Sequence, residues 1–143
     1  MRADLEIIYE WISPQSRVLD LGCGDGELLS QLQKTRAVTG LGMEIENDKI
    51  IACVEKGVSV VKQDLNKGLQ NLSDKCFDTV VMTQSFQQLD APHLMLDELL
   101  RVGHEAIVTF PNFGHWTTRR YLGFKGRMPM SEALPHMWFD TPN

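Results

Sequence analysis

Short apolar runs alternate along this chain with segments in which apolar residues recur every three or four positions. The runs, which are typical of buried strands, are residues 17–21, 37–45, 58–61, 77–82 and 106–110. Helical spacing is found over residues 4–12, ahead of the first run, and in segments that follow the first, second and fourth runs. Strands that alternate with helices predict a mostly parallel sheet with right-handed crossovers, so the sequence predicts a doubly wound α/β fold.

The same spacing predicts the buried face of each helix. The apolar stripes are Leu5, Ile8 and Ile12 in the first helix, Leu28, Leu29 and Leu32 in the second, Ile50, Ile51 and Val54 in the third, and Leu96, Leu99 and Leu100 in the fourth. Gly57 and Gly103 follow the third and fourth helices and are typical helix stops. We therefore expect these stripes to pack against the sheet.

The first run ends at an acid and breaks into a turn with alternating glycines, Gly22, Gly24 and Gly26. Glycine adopts positive φ at little cost and has no side chain, so such a turn between a strand and a helix lets the backbone approach a ligand closely. The turn differs from a dinucleotide loop, because Glu27 stands where G-x-G-x-x-G requires its third glycine. A tight strand-to-helix turn without a ligand is the alternative interpretation.

The charge of the turn indicates the kind of ligand. Asp20, Asp25 and Glu27 surround the glycines, and nearby carboxylates would disfavour the pyrophosphate of a dinucleotide such as NAD. They suit a ligand with positive charge. S-adenosylmethionine carries a sulfonium and an ammonium group, together with one carboxylate that backbone N–H groups can meet. The turn therefore favours S-adenosylmethionine or S-adenosylhomocysteine over NAD.

Acidic residues also lie at the ends of the second and third predicted strands. Glu44 follows Gly24 by 20 residues, the spacing at which a second strand delivers a carboxylate to the two hydroxyls of a ribose. The adjacent Ile45 is placed either to pack on the adenine face or to join the core. Asp64 follows the third strand and is placed either to accept a hydrogen bond from the adenine amino group or to cap a turn.

Cys23 and Gln84 lie close to these strand ends and have less specific roles. Cys23 is inside the glycine turn, where we interpret its small side chain as a steric requirement rather than a reactive thiol. Gln84 follows the fourth strand, at the switch point where the reacting end of the cofactor is expected. It is a candidate contact to cofactor or substrate, and a structural role in the loop is the alternative. An uncharged amide cannot act as a base.

Composition narrows the classes of function. The 143 residues fit one domain, and the net charge of −5 provides no overall basic field for nucleic acid. No apolar stretch has the length of a signal-peptide core or of a membrane span, so we expect a cytoplasmic protein with no membrane partner. The 3 cysteines lack C-x-x-C spacing and the 4 histidines form no close pair, so no metal site is expected.

Residues 20–26, Glu44, Asp64 and the strand 77–82 together resemble the class I S-adenosylmethionine-dependent methyltransferases, over about residues 17–112. The resemblance implies a Rossmann-like fold and a cofactor site, and it is silent on the substrate. Gln84 follows the fourth-strand motif of that class. From the methionine end to the adenine, the residues implied in the cofactor site are Asp20, Gly22 and Gly24, then Glu44 on the ribose, then Asp64 and Leu65.

Other segments resemble the MetW family of methionine biosynthesis proteins, within the same superfamily. They are the helix 5–11 that runs directly into the glycine turn, residues 110–116, residues 134–135 and residues 138–143. This resemblance implies a small cytoplasmic protein of methionine synthesis that acts with a homoserine O-acyltransferase. It supplies no methyl acceptor, so we expect either a cofactor-sensing subunit or a methyltransferase of unknown acceptor.

Residues 113–143 are predicted to form an irregular segment, rich in aromatic and basic side chains. Methyltransferase folds of this class usually continue into another helix and strand pair, so we expect a chain truncated after its fifth strand, with one sheet edge uncovered. In an enzyme, His115 or Tyr121 would accept a proton from the methyl acceptor. In a binding module, the aromatic and arginine side chains would contact a partner. A solvated loop with neither role is the third alternative.

Overall fold

The computed structural model describes residues 2–83, 85–110, 120 and 123–124. Within them, five parallel strands form one sheet: β1 (Arg17–Leu21), β2 (Thr39–Glu44), β3 (Val60–Lys62), β4 (Phe77–Thr83) and β5 (Gly103–Thr109). Their order across the sheet is β3-β2-β1-β4-β5. The predicted doubly wound parallel fold is confirmed, and β1 is its central strand.

The helices of the described residues are α1 (Ala3–Trp11), α2 (Glu27–Arg36), α3 (Asn47–Glu55) and α4 (Pro92–Val102). Short 3-10 turns, Leu65–Lys67 and Phe86–Gln88, follow β3 and β4. As predicted, Gly57 lies just after α3 with a φ of +74° and Gly103 caps α4. None of the described helices is both long and apolar enough to cross a membrane.

Helices and loops cover both faces of the sheet. On one face, Val18 of β1 packs in a cluster with Ile8 of α1, Leu29 of α2 and Cys53 of α3. On the other face, Leu19 packs in a cluster with Leu99 of α4. β1 is therefore buried from its second residue to its carboxyl end, as expected for the centre of a parallel sheet. The stripes predicted for the first two helices are confirmed, since the buried residues include Leu5, Ile8, Ile12, Leu28, Leu29 and Leu32.

The strand order brings the carboxyl ends of three strands together. β1 pairs with β2 on one side and with β4 on the other. The chain passes from β1 to β2 and β3 in one direction and returns to β4 on the far side of β1, so the direction of winding reverses between β1 and β4. Folds of this kind bind ligands outside the carboxyl ends of the strands, at the crevice that such a reversal opens.

The apolar stripe predicted for α3 is wrong in part. Ile51 and Val54 are exposed, at 56% and 64%, Ile50 is half-buried, and Cys53 is the buried residue of the helix. The helix lies close to the glycine turn, because a Cβ added to Gly26 would be 2.9 Å from the Cys53 Sγ. A small side chain fits this narrow contact, so α3 turns its cysteine inward and its larger apolar residues outward.

The stripe predicted for α4 is correct for Leu99 and wrong for Leu96 and Leu100. Leu96 is 41% exposed and Leu100 is 56% exposed, whereas Met95, Leu99 and Val102 are buried. The buried positions follow the i, i+4, i+7 spacing of one helical face. Leu96 and Leu100 each follow a buried residue directly, so they lie about 100° around the helix from it.

We expect Leu99→Ala to lower the free energy of unfolding by about 2–5 kcal/mol, because it removes a buried side chain and leaves a cavity. Leu100→Ala removes the same atoms from a side chain that is 56% exposed, so it should change the free energy of unfolding by less than about 0.5 kcal/mol. Urea unfolding of the two variants measures the difference. Equal losses would contradict the orientation of α4.

Candidate functional site

A cavity of about 590 Å³ opens at the carboxyl ends of the strands, a volume typical of small-molecule sites. It lies at the reversal of winding, and residues from the turns after β1, β2, β3 and β4 line it. The structure brings together here nearly all the residues that the sequence assigns to a cofactor site, namely Asp20, Gly22, Cys23, Gly24, Glu44, Ile45, Asp64 and Leu65. The predicted Gln84, His115 and Tyr121 lie outside the described residues.

The glycine loop takes a conformation that side chains rarely adopt. Gly22, Gly24 and Gly26 have φ values of +72°, +58° and +73°. The N–H groups of Gly22 and Cys23 both donate to the Met43 carbonyl of β2, at 2.8 and 3.1 Å. These bonds fix the start of the loop against the neighbouring strand.

Glu44 is the best-anchored acidic residue of the cavity. Its side chain is buried, and its Oε2 accepts a hydrogen bond from the Gly24 N–H at 2.9 Å. Its Oε1 accepts from the N–H groups of Ile45 and Glu46, at 2.8 and 3.1 Å. A carboxylate offers about four acceptor positions, so one remains on Oε2. A ligand diol that engaged both oxygens would therefore have to displace one backbone donor.

Asp20 is buried without a complete set of partners. It is 3% exposed, it lines the cavity, and its Oδ1 has no hydrogen-bond partner among the described residues. Desolvation, followed by the charge of the nearby Glu44, raises the pKa of Asp20 to about 7. Buried carboxylate oxygens normally have a donor, so this position fits a ligand that brings a donor or a positive charge.

Two other acids near the loop, Asp25 and Glu46, are paired with lysines. Lys56 of the turn after α3 pairs with Asp25 and holds the pKa of that carboxyl below its usual range. Lys49 pairs with Glu46 at 2.8 Å. Asp25 was expected to contribute negative charge to the ligand site, and its pairing with Lys56 offsets that charge. The negative charge buried in the cavity therefore comes from Asp20 and Glu44.

The end of the cavity beyond Glu44 mixes apolar and polar groups. Ile45 is 50% exposed, so the alternative that it belongs to the core is wrong. The Oδ1 of Asp64 accepts the Asn66 N–H at 3.0 Å, which confirms that Asp64 caps the turn after β3. Asp64 and Leu65 also line the cavity. Ile45 and Leu65 offer apolar surface to a flat aromatic ring here, and Asp64 offers a hydrogen-bond acceptor.

Cys23 packs inside the loop. Its Sγ lies 3.8 Å from the Cys53 Sγ, and a Cβ added to Gly42 would be 2.5 Å from it. Burial raises the pKa of both thiols above the ordinary value, which suppresses the reactive thiolate form. These contacts support the steric role predicted for Cys23. Among the described residues, no group of three or more histidine, cysteine or acidic side chains is arranged to hold a metal ion.

Some residues of the cavity were not singled out from the sequence. Arg2 was not found, and from the segment 83–88, which the sequence places at the switch point, only Gln84 was named, whereas Thr83, Ser85 and Gln88 line the cavity. Thr83 is the last residue of β4 and Ser85 lies just after it, so both are at the strand end where ligands gather. A Cβ added to Gly22 would be 2.4 Å from the Ser85 Oγ, which shows how closely these two turns pack. Arg2 carries no local signal, because the packing of α1 brings it to the cavity.

The chain is similar to known proteins in sequence and in fold. The chain matches the family of methionine biosynthesis protein MetW over residues 2–143. It is 34% identical over 152 aligned positions to the bifunctional methionine biosynthesis protein MetXA/MetW of Rhodopirellula baltica, and the alignment covers 100% of this chain and 24% of that relative. The chain thus spans about a quarter of that curated relative.

Two solved structures illustrate the similarity of fold. An S-adenosylmethionine-dependent methyltransferase from Archaeoglobus fulgidus is 34% identical, with a TM-score of 0.59, over 70% of this chain and 45% of that one. A possible histamine N-methyltransferase from Thermotoga maritima is 23% identical, with a TM-score of 0.66, over 87% of this chain and 57% of that one. This chain has the Rossmann-like methyltransferase fold and belongs to the MetW family of methionine biosynthesis proteins.

Proposed function

We propose that the chain binds S-adenosylmethionine or S-adenosylhomocysteine in the cavity at the carboxyl ends of the strands. The observation that carries this proposal is the buried Asp20, whose Oδ1 lacks a partner among the described residues, beside a glycine loop that is bonded to Glu44. An ammonium group would satisfy the aspartate. The ribose of the same ligand would then lie along the loop toward Glu44.

Charge supports this ligand over NAD. Two buried carboxylates line the cavity, and the burial of a pyrophosphate beside them would add repulsion to the cost of desolvation. A cation in the same place lowers that cost. The similarity to solved structures described as S-adenosylmethionine-dependent methyltransferases supports the same ligand.

Each predicted cofactor residue in the described part of the chain has a role in this arrangement. Asp20 holds the ammonium, the Gly22 and Gly24 backbone follows the methionine moiety, and Glu44 accepts from a ribose hydroxyl. The remaining residues, Ile45, Asp64 and Leu65, border the adenine, with Cys23 supporting the loop from behind.

The chain is proposed to work in the cytoplasm with a homoserine O-acyltransferase, as a cofactor-binding subunit. Support comes from the Rhodopirellula baltica relative, in which a MetW unit is joined to a MetXA unit in one polypeptide. Units that are fused in one organism are often separate, associated chains in another. The fraction of this protein with bound cofactor would then follow the supply of S-adenosylmethionine, which is derived from methionine. The protein would pass that signal to an enzyme of methionine synthesis.

Methyl transfer to a small molecule is the second candidate function. The observation that favours it is the 34% identity to a protein described as an S-adenosylmethionine-dependent methyltransferase. The sulfonium is an activated donor, so a nucleophilic acceptor placed in line with the methyl group needs little acid or base catalysis. Transfer of a labelled methyl group to an isolated acceptor distinguishes this function from cofactor sensing.

Glu44→Gln should weaken the binding of S-adenosylhomocysteine about tenfold to a hundredfold, because it removes a charged acceptor from a ribose hydroxyl. The loss should be much smaller for a 2′-deoxyribose analogue of the ligand. Glu55→Gln is the matched control, since Glu55 is an exposed residue of α3 that does not line the cavity. Calorimetric titration measures the affinities, and equal affinities of the two variants would contradict the role of Glu44.

Binding of S-adenosylhomocysteine should strengthen roughly tenfold between pH 6 and pH 7.5. The pKa of Asp20 is raised to about 7 in the free protein, and a bound ammonium lowers it, so binding at lower pH must release a proton. Asp20→Asn should remove this dependence and weaken binding at pH 7.5. For 5′-methylthioadenosine, which lacks the ammonium group, the affinity should not change with pH. A pH-independent affinity for S-adenosylhomocysteine in the unaltered protein would contradict the assignment.

The homoserine O-acyltransferase of the same organism should copurify with this protein. The activity of the acyltransferase should change when the two proteins are mixed. The acyltransferase activity is measured for the enzyme alone, for the enzyme mixed with this protein, and for the same mixture with S-adenosylmethionine added. An effect of the protein that depends on S-adenosylmethionine is the expected result. Unchanged activity in all three mixtures, with no copurification, would contradict the partnership.

A further inference from the structure

The backbone of Gly24, in the middle of the glycine loop, is held by hydrogen bonds rather than by packing. Apart from its chain neighbours, no heavy atom lies within 4 Å of the place that a Cβ on Gly24 would take. Its φ of +58° is one that side chains rarely adopt. The Gly24 N–H donates to the Glu44 Oε2 at 2.9 Å, so the contact made by the Gly24 carbonyl helps to decide where that N–H points.

Cys53 of α3 holds the carbonyl of Gly24. Its thiol donates to the Gly24 oxygen, which lies 3.2 Å from the Sγ, whereas the Cys23 Sγ is 3.8 Å from the same oxygen. Burial raises the pKa of the Cys53 thiol above its ordinary value, so the thiol keeps the proton that it donates. The position of Cys53 is itself fixed, because the residue is fully buried and its carbonyl accepts the Val58 N–H at 2.9 Å.

Cys53 lies behind the loop and does not line the cavity, so it can act on a ligand there only through other residues. The Glu44 Oε2 has one acceptor position beside the one that the Gly24 N–H occupies. A ligand hydroxyl that donates to Oε2 must take the position that the N–H leaves open. A shift of Gly24 would therefore change the acceptor position that Glu44 offers.

We propose that Cys53 is a positioning residue for the ribose of the ligand. By holding the Gly24 carbonyl, its thiol keeps the Gly24 N–H on one side of the Glu44 Oε2 and leaves the other side open to a ribose hydroxyl. This inference rests on the proposed function and adds to it a residue that touches no part of the ligand. The side chain at this position has to be small, because of its contact with Gly26, and it has to carry a donor for Gly24. Cysteine meets both requirements.

The test compares S-adenosylhomocysteine with its 2′,3′-dideoxyribose analogue, which lacks both ribose hydroxyls. Calorimetric titration measures both affinities for the unaltered protein, Cys53→Ala, Cys53→Ser and Cys76→Ala. Cys76 is a half-buried cysteine on the other face of the sheet that does not line the cavity, so its variant is the matched control.

We expect Cys53→Ala to weaken S-adenosylhomocysteine about threefold to fivefold, the scale of one hydrogen bond. The affinity for the dideoxy analogue should change by less than about 1.5-fold, because that analogue makes no hydroxyl contact with Glu44. Cys53→Ser keeps a donor and should restore most of the affinity that the alanine variant loses. Cys76→Ala should leave both affinities unchanged.

Amide hydrogen exchange in the free protein gives a second measurement, which needs no ligand. Cys53→Ala should speed the exchange of the Gly24 N–H about threefold to fivefold, and Cys53→Ser should restore most of its protection. The Val58 N–H, which donates to the Cys53 carbonyl, reports any loosening at the end of α3. Its exchange rate should change much less than that of Gly24.

Equal weakening of the two ligands by Cys53→Ala would overturn the proposal, since Cys53 would then act only through its packing beneath the loop. Unchanged affinities of the alanine variant, or a serine variant as weak as the alanine variant, would also overturn it. If the unaltered protein binds neither ligand, the proposed function itself is wrong, and the exchange rate of the Gly24 N–H still decides whether Cys53 holds the loop.

Discussion

The hydrogen bond from the Gly24 N–H to the Glu44 Oε2, 2.9 Å long, joins the glycine loop after β1 to the end of β2. It forms only because the two strands are parallel neighbours whose carboxyl ends meet, with Leu21 paired to Met43. The Gly22 and Cys23 N–H groups reach the same strand through the Met43 carbonyl. With the loop held in this way, the cavity has one fixed wall, and the turns after β3 and β4 and the first turn of α1 close around it.

The fold leaves the cavity with an electrostatic cost that a ligand would relieve. Asp20 and Glu44 are both buried, and burial, followed by the charge of Glu44, raises the pKa of Asp20. Perturbed acids in a cleft are typical of functional sites, and a buried oxygen without a hydrogen-bond partner lowers the stability of the fold. The described residues provide no hydrogen-bond partner for the Asp20 Oδ1, so the arrangement fits a ligand that brings a cationic group. The proposed cationic ligand, S-adenosylmethionine, is derived from methionine, which fits a member of the MetW family of methionine biosynthesis proteins.

The sequence predicted those features that depend on short stretches of chain. The acid at the end of β1, the glycines after it and the acid 20 residues beyond Gly24 meet because a strand, a helix and a second strand fix their separation. The orientation of α3 and α4 is harder to predict from the sequence. Leu96, Leu99 and Leu100 present leucine on more than one face, and spacing alone does not choose between faces when the deciding contact is elsewhere, as with Cys53 against Gly26. Arg2 was missed for the same reason, since it reaches the cavity through the packing of α1.

The central claim is that two buried acids shape the cavity for a cationic adenosyl ligand rather than for a dinucleotide. Calorimetric titration of the protein at pH 7.5 with S-adenosylmethionine, and separately with NAD, tests it directly. We expect saturable binding of S-adenosylmethionine with one ligand per chain, and far weaker binding of NAD. Tighter binding of NAD than of S-adenosylmethionine would contradict the claim.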